Sequence, residues 1–326
     1  MLRSNDNANL LRLEKVCINF SRDNLRANAV NNINLNIQKG AITCLVGESG
    51  CGKSLTAKAI LKLTPDNSAI EGNIFYNNQD ILELDEISLQ KIRGKKISMI
   101  FQEPMTALNP VLTVGFQAAE PLRLHLNLSK HEARKKVEEL FTSVGIPDAK
   151  IRYDAYPHEL SGGMRQRVMI AMALACEPEL LLADEPTTAL DATIQGQILH
   201  LIKKANTERN MAVLLITHDL GVVKQMADYV GVMYAGHIIE YGKSKDIIKN
   251  PMHPYTIGLI NASPNIHTKR PMRLKAIDGY VPDIFEMPKG CPFAPRCNYK
   301  MDICSQKMPD IKNINGHEIA CYIKGS

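Results

Sequence analysis

Short apolar runs alternating with helical segments predict an α/β fold with a mostly parallel sheet covered on both faces. A glycine-rich octapeptide, entered by such a run and left by a helical segment, makes that fold a P-loop type. The composition is that of a folded chain: 45% of the 326 residues are hydrophobic and 22% charged, which excludes extensive disorder. A chain of this length suggests about two domains.

The elements follow in order. Residues 33–37 (Ile-Asn-Leu-Asn-Ile) alternate as a half-buried strand. Residues 41–46 are an apolar run ending at Gly47, read as a buried strand feeding a glycine turn, and residues 53–63 have helical spacing. Further buried strands are expected at 97–101, 180–183, 213–216 and 230–234. Between Gln102 and Pro178 the pattern is helical: Ser129-Lys130-His131-Glu132 is a capping box opening a helix through about Val144, and 164–176 form another helix with Val168, Met172 and Ala175 on one face. Helical insertion into an α/β core is the organisation this implies. Beyond Asn250 the prolines argue against long regular elements.

The net charge of +5 is too mild to argue for nucleic acid. No apolar run approaches the roughly 18 residues of a membrane-spanning helix. The first ten residues are polar and lack an apolar signal core, which predicts a cytosolic protein whose eight cysteines are thiols or metal ligands rather than disulfides. The counts are uneven: residues 251–326 hold nine of the 17 prolines, four of the eight cysteines and +4 of the net charge. Something distinct is appended to the first 250 residues.

Gly47-Glu48-Ser49-Gly50-Cys51-Gly52-Lys53-Ser54 fits G-x-x-x-x-G-K-[ST]. Its glycines allow backbone N–H groups to converge on phosphate oxygens at the positive end of a helix. Lys53 can reach the β and γ phosphates, and Ser54 can offer an oxygen to Mg²⁺. The apolar run Leu180-Leu181-Leu182-Ala183 ends in Asp184-Glu185. Asp184 is expected as the Mg²⁺-side acid of a nucleoside triphosphatase, and Glu185 as the carboxylate that orients the attacking water.

With these motifs the chain resembles the ATP-binding subunits of ABC transporters over about residues 11–245. Leu160-Ser161-Gly162-Gly163-Met164-Arg165-Gln166-Arg167 resembles the family's signature segment, a helix start suited to a second anion site, which kinases and GTPases lack. Gln102 resembles the glutamine that senses Mg²⁺ and water, Leu190-Asp191 after Thr188-Ala189 resembles the D-loop, and His218 resembles the switch histidine. Phe20 is the candidate aromatic for stacking on adenine. The resemblance implies ATP contacts from Phe20, the octapeptide 47–54, Thr56, Gln102, Ser161, Gly162, Gly163 and Asp191, and Mg²⁺ held by Ser54, Gln102 and Asp184. It implies catalysis through Glu185, Lys53 and His218.

The tail narrows the branch. Asn250-Pro251-Met252-His253-Pro254-Tyr255-Thr256 and Cys291, Cys297, Cys304 and Cys321, with Pro292-Phe293-Ala294-Pro295-Arg296 between the first two thiols, resemble the C-terminal extension of dipeptide and oligopeptide importer ATPases, shared by nickel importers. Four thiols in a proline-constrained lobe suggest a metal staple, and thiolate softness admits zinc or iron–sulfur. The resemblance favours a four-iron four-sulfur cluster, with zinc as the alternative and with His317 as a less favoured substitute ligand.

The implied organisation is a cassette over residues 1–250, with a helical subdomain at about 103–178, and an extension over 251–326. The implied partners are two membrane permeases docked near 102–120, a second and non-identical ATPase, and an extracytoplasmic substrate-binding protein reached through the permeases. Nucleic acid is not implied, and the location is the cytoplasmic face of the membrane, peripherally. A nickel or metal-chelator importer is the alternative. A soluble ABC ATPase of nucleic acid or ribosomes ranks next, and a P-loop kinase is opposed by the signature segment.

Overall fold

A computed structural model of the chain describes residues 9–22, 25–103, 107–188, 190–262 and 277–323. The chain divides into two units, one of Met1–Gln38, Ile42–Leu82 and Ile216–Ser326, the other of Lys39–Ala41 and Glu83–Leu215.

The first unit holds a four-stranded sheet in the order β2 (Leu25–Gln38), β1 (Asn9–Arg22), β4 (Ser68–Tyr76) and β5 (Gln79–Asp80). The expected alternation at 33–37 is the C-terminal part of β2, where Ile33, Leu35 and Ile37 are buried and the residues between them are not. Strand β1 was not legible: its register shifts between Glu14 and Cys17, so its period of two is broken midway. The same unit holds β3 (Ile42–Val46), β9 (Tyr229–Tyr234) and β10 (His237–Lys243). Every residue of β3 is buried, as a strand covered on both faces requires, and β3 runs parallel to β9.

Residues beyond 250 group with this unit rather than apart from it. Its regular elements are short, as the prolines suggest: helices Pro254–Ala262 and Asp302–Gln306, and strands β11 (Lys312–Ile314) and β12 (His317–Ile319). Strand β12 pairs antiparallel with β10, Glu240 facing Ile319, which gives the order β11-β12-β10-β9-β3.

The second unit carries β6 (Ile97–Ile100) and β7 (Leu180–Asp184), parallel with Ile97 opposite Leu180, and β8 (Ala212–Ile216) next to β7. Its helices include Val114–Leu126, Lys130–Ser143 and Gly162–Leu174. The capping box forms as expected: Ser129 accepts from the Glu132 N–H while Glu132 accepts from the Ser129 N–H. Among the described residues no helix is long and apolar enough to cross a membrane.

Candidate functional site

Strand β3 delivers Gly47, and the helix Lys53–Ile60 departs from the far end of the octapeptide. Gly52 caps that helix at φ 100°, and a Cβ there would lie 2.9 Å from the Ala29 carbonyl oxygen, so glycine is required. The helix has no acidic residue in its first turn, leaving its positive end uncompensated. Lys53 is buried, and its Nζ donates to the carbonyls of Gly47 (2.9 Å) and Glu48 (2.8 Å) and to Cys51 Sγ (3.6 Å). Burial pushes the Cys51 thiol above its usual range, against the opposing pull of Lys53, so it stays protonated near neutrality. Thr56 is fully buried and its hydroxyl donates to the Gly52 carbonyl at 2.9 Å. Phe20 lies half-buried on β1, opposite Ala27 and Ser68. His218 is exposed just beyond β8.

In the second unit, all five residues of β7 are buried, ending at Asp184 with 2% exposure. Glu185 follows at φ 45°, a left-handed backbone that non-glycine residues seldom adopt and that functional turns concentrate. Its carboxylate accepts from Gln102 Nε2 at 3.3 Å and from Thr188 Oγ1 at 2.8 Å. The structure thus brings Gln102 and Glu185 together, although 83 residues separate them. Ser161 caps the signature helix by accepting from the Met164 N–H at 3.3 Å, and Gly162 and Gly163 are its first two residues. Buried Gln166, on that helix, donates to the Pro186 carbonyl at 2.7 Å, tying the signature segment to the turn that holds Glu185. Asp191 caps the helix Ala192–Arg209 through the Ile194 N–H, and Ala189 lies outside the described residues.

Gln166 and Thr188 were not singled out from sequence as holding this turn. The signal for Thr188 was its place three residues after Glu185; Gln166 lay inside the quoted signature.

The four tail cysteines gather in one neighbourhood. The Cys291 N–H donates to the Cys304 carbonyl at 2.8 Å, an approach that leaves no room for a Cβ at Gly290, which would sit 2.2 Å from that oxygen. Burial, against a backbone hydrogen bond from Phe293 and together with the neighbouring Cys304, Cys321 and Cys297, pushes the Cys291 thiol up to about 11. None of the four is in a disulfide. Among the described residues, no group of three or more His, Cys, Asp or Glu side chains is placed to hold a metal ion.

The family profile described as ABC transporter matches residues 30–188. A second, described as oligopeptide/dipeptide transporter, C-terminal region, matches residues 239–304. The dipeptide transport ATP-binding protein DppD of Bacillus subtilis is 47% identical over 318 residues, covering 97% of this chain and 95% of that protein. This chain belongs to the peptide-transport branch of the ABC transporter ATP-binding subunits. The oligopeptide transport ATP-binding protein OppD of Escherichia coli is also 47% identical, over 96% of this chain and 93% of its own. A dimeric bacterial ABC transporter cassette superposes with a TM-score of 0.65 at 33% identity, over 72% of this chain and 98% of that one. The same cassette in a post-hydrolysis dimer bound to ADP and phosphate gives 0.66 over the same shares. As a member of this branch the chain is an ABC ATPase.

Proposed function

We propose that the chain hydrolyses ATP to energise uptake of dipeptides or oligopeptides, as the peripheral subunit of an importer on the cytoplasmic face of the membrane. The observation that carries this reading is the match to peptide-transport relatives along nearly the whole chain, tail included. The octapeptide amides and Lys53 bind the phosphates, Phe20 takes the adenine, and Thr56 supports the loop from the first helix. Ser54, Asp184 and Gln102 would hold Mg²⁺, which supplies neutralising charge at the phosphates. Glu185 accepts a proton from the attacking water or orients it, held by Gln102 and Thr188. His218 and Lys53 counter charge developing on the γ-phosphoryl group.

Ser161, Gly162, Gly163 and Asp191 serve the ATP held by a second ABC ATPase, a similar but non-identical subunit. Two permeases dock near 102–120, where Val111, Leu112 and Phe116 are exposed apolar side chains, and a substrate-binding protein feeds them from outside. The cassette spans 1–250, with its helical part at 103–178, and the extension spans 251–326. Cys291, Cys297, Cys304 and Cys321 are proposed as ligands of a four-iron four-sulfur cluster, with zinc as the alternative; their gathering around one another supports the donor set. Iron and sulfide assays on anaerobically purified protein test this, and colourless, metal-free protein would refute it.

The function is tested in cells whose sole source of a required amino acid is a di- or oligopeptide. Replacing the gene with its Lys53→Ala version should abolish growth on the peptide but not on the free amino acid. Growth on the peptide at the parental rate would overturn the reading, and a defect confined to nickel-dependent growth would replace the peptide with nickel.

A further inference from the structure

The carboxylate and backbone N–H of Glu48, the second residue of the octapeptide, are held by residues more than 200 positions away. Arg296 places its guanidinium on the Glu48 carboxylate as a two-point fork, Nη1 to Oε2 at 2.6 Å and Nη2 to Oε1 at 3.0 Å. The remaining donors are also used: Nε binds the Asp278 carbonyl at 2.8 Å, Nη2 the Ile277 carbonyl at 3.1 Å and Nη1 the Tyr234 hydroxyl at 3.3 Å. All five N–H groups of the guanidinium therefore have acceptors, a set that only arginine can supply. The Arg296 side chain is 6% exposed and stacks near the Tyr234 and Phe293 rings. A second extension residue, Tyr255, accepts the Glu48 backbone N–H on its hydroxyl at 2.9 Å.

This arrangement has an electrostatic consequence. Within 47–54 the formal charges of Glu48 and Lys53 cancel, so the loop alone presents no net charge to an incoming polyanion. Arg296 restores a net positive charge and fixes the carboxylate in place. The Cys-rich lobe sets its direction: Phe293 packs against Tyr234 and Tyr255 at ring distances of 5.2 and 5.4 Å, and Arg296 stands one residue before Cys297.

We propose that Arg296 of the C-terminal extension is a positioning residue for the P-loop, neutralising and anchoring Glu48 so that the loop keeps its affinity for ATP. The inference rests on the ATP-binding reading above. A unit charge about 12 Å from a phosphate is worth about a tenfold change in affinity for a nucleoside triphosphate at an effective dielectric near 20.

The test is steady-state ATP hydrolysis by the full-length chain assembled with its partner subunits. Arg296→Gln should raise KM for ATP about tenfold while kcat changes less than about twofold. Adding Glu48→Gln to Arg296→Gln should bring KM back to within about threefold of the Glu48→Gln single variant, because no unpaired carboxylate then remains. Arg296→Lys keeps the charge without the fork and should give a KM between those of the parent and Arg296→Gln, which covers the case in which Arg296→Gln fails to fold. An Arg296→Gln KM within twofold of the parent would overturn the proposal. So would a double variant as defective as Arg296→Gln alone, which would leave the arginine only a structural anchor of the lobe. A parent protein that turns over no ATP would instead overturn the function on which the inference rests.

Discussion

Glu240 on β10 is a buried carboxylate whose side chain has no exposure, and it joins three separate segments. Its Oε1 accepts from the Met252 N–H at 2.8 Å and from His317 Nε2 at 2.6 Å, and its Oε2 accepts from the His253 N–H at 2.9 Å. Glu240→Ala would leave two backbone donors and one imidazole without an acceptor in a site closed to water. Each orphaned buried N–H costs about 1–3 kcal/mol, so the loss should be about 4 kcal/mol. Urea unfolding followed by far-UV circular dichroism reads this directly. With a slope of about 3 kcal/mol per molar, the midpoint should fall by more than 1 M. Glu240→Gln keeps one carbonyl acceptor and should lose about half as much. A Glu240→Ala midpoint within about 0.2 M of the parent would refute the reasoning that this carboxylate fastens the extension to β10.

Two further predictions follow from the same neighbourhood and from the P-loop. Burial holds His253 neutral, with its pKa lowered to about 3 from an ordinary 6.5, and its Nδ1 accepts from the Tyr255 N–H. The unfolded chain binds this proton first as pH falls, so the contribution is complete above about pH 6.5 and is lost toward pH 3. At pH 5 the loss is about 2 kcal/mol, and His253→Asn should flatten the fall of the urea midpoint between pH 7 and 5; an unchanged slope would contradict this. Lys53→Ala should weaken ATP binding by about 30- to 100-fold in titration calorimetry, the worth of a charge-assisted contact, and an unchanged affinity would count against the P-loop assignment.

Much of this was legible in the sequence because short-range patterns carried it. The buried strands β3, β6, β7, β8 and β9 are apolar runs found within a residue or two of their expected places, since burial on both faces leaves little choice of residue. Helix starts at Lys130 and Gly162 follow from Ser129 and Ser161, whose side chains cap them. The helix expected over 53–63 stops at Ile60, with Lys62 in a left-handed turn that no glycine announced. The antiparallel sheet of β1, β2, β4 and β5 was largely missed, because bulges interrupt its alternation and its exposed residues mix freely with buried ones. Arg296 was visible only as part of a resemblance. Its role depends on Glu48, 248 residues earlier, and no local pattern encodes a contact of that span. The gathering of the four tail cysteines could be expected from their density.

If the turn after β7 is the hydrolytic end of an ATP-binding site, Glu185 is its working carboxylate. Glu185→Gln, measured for both ATP affinity and turnover in the assembled transporter, tests this most directly. The variant should bind ATP within about threefold of the parent affinity and turn it over at least about 100-fold more slowly, the usual worth of a positioned base. Turnover at the parental rate would contradict it.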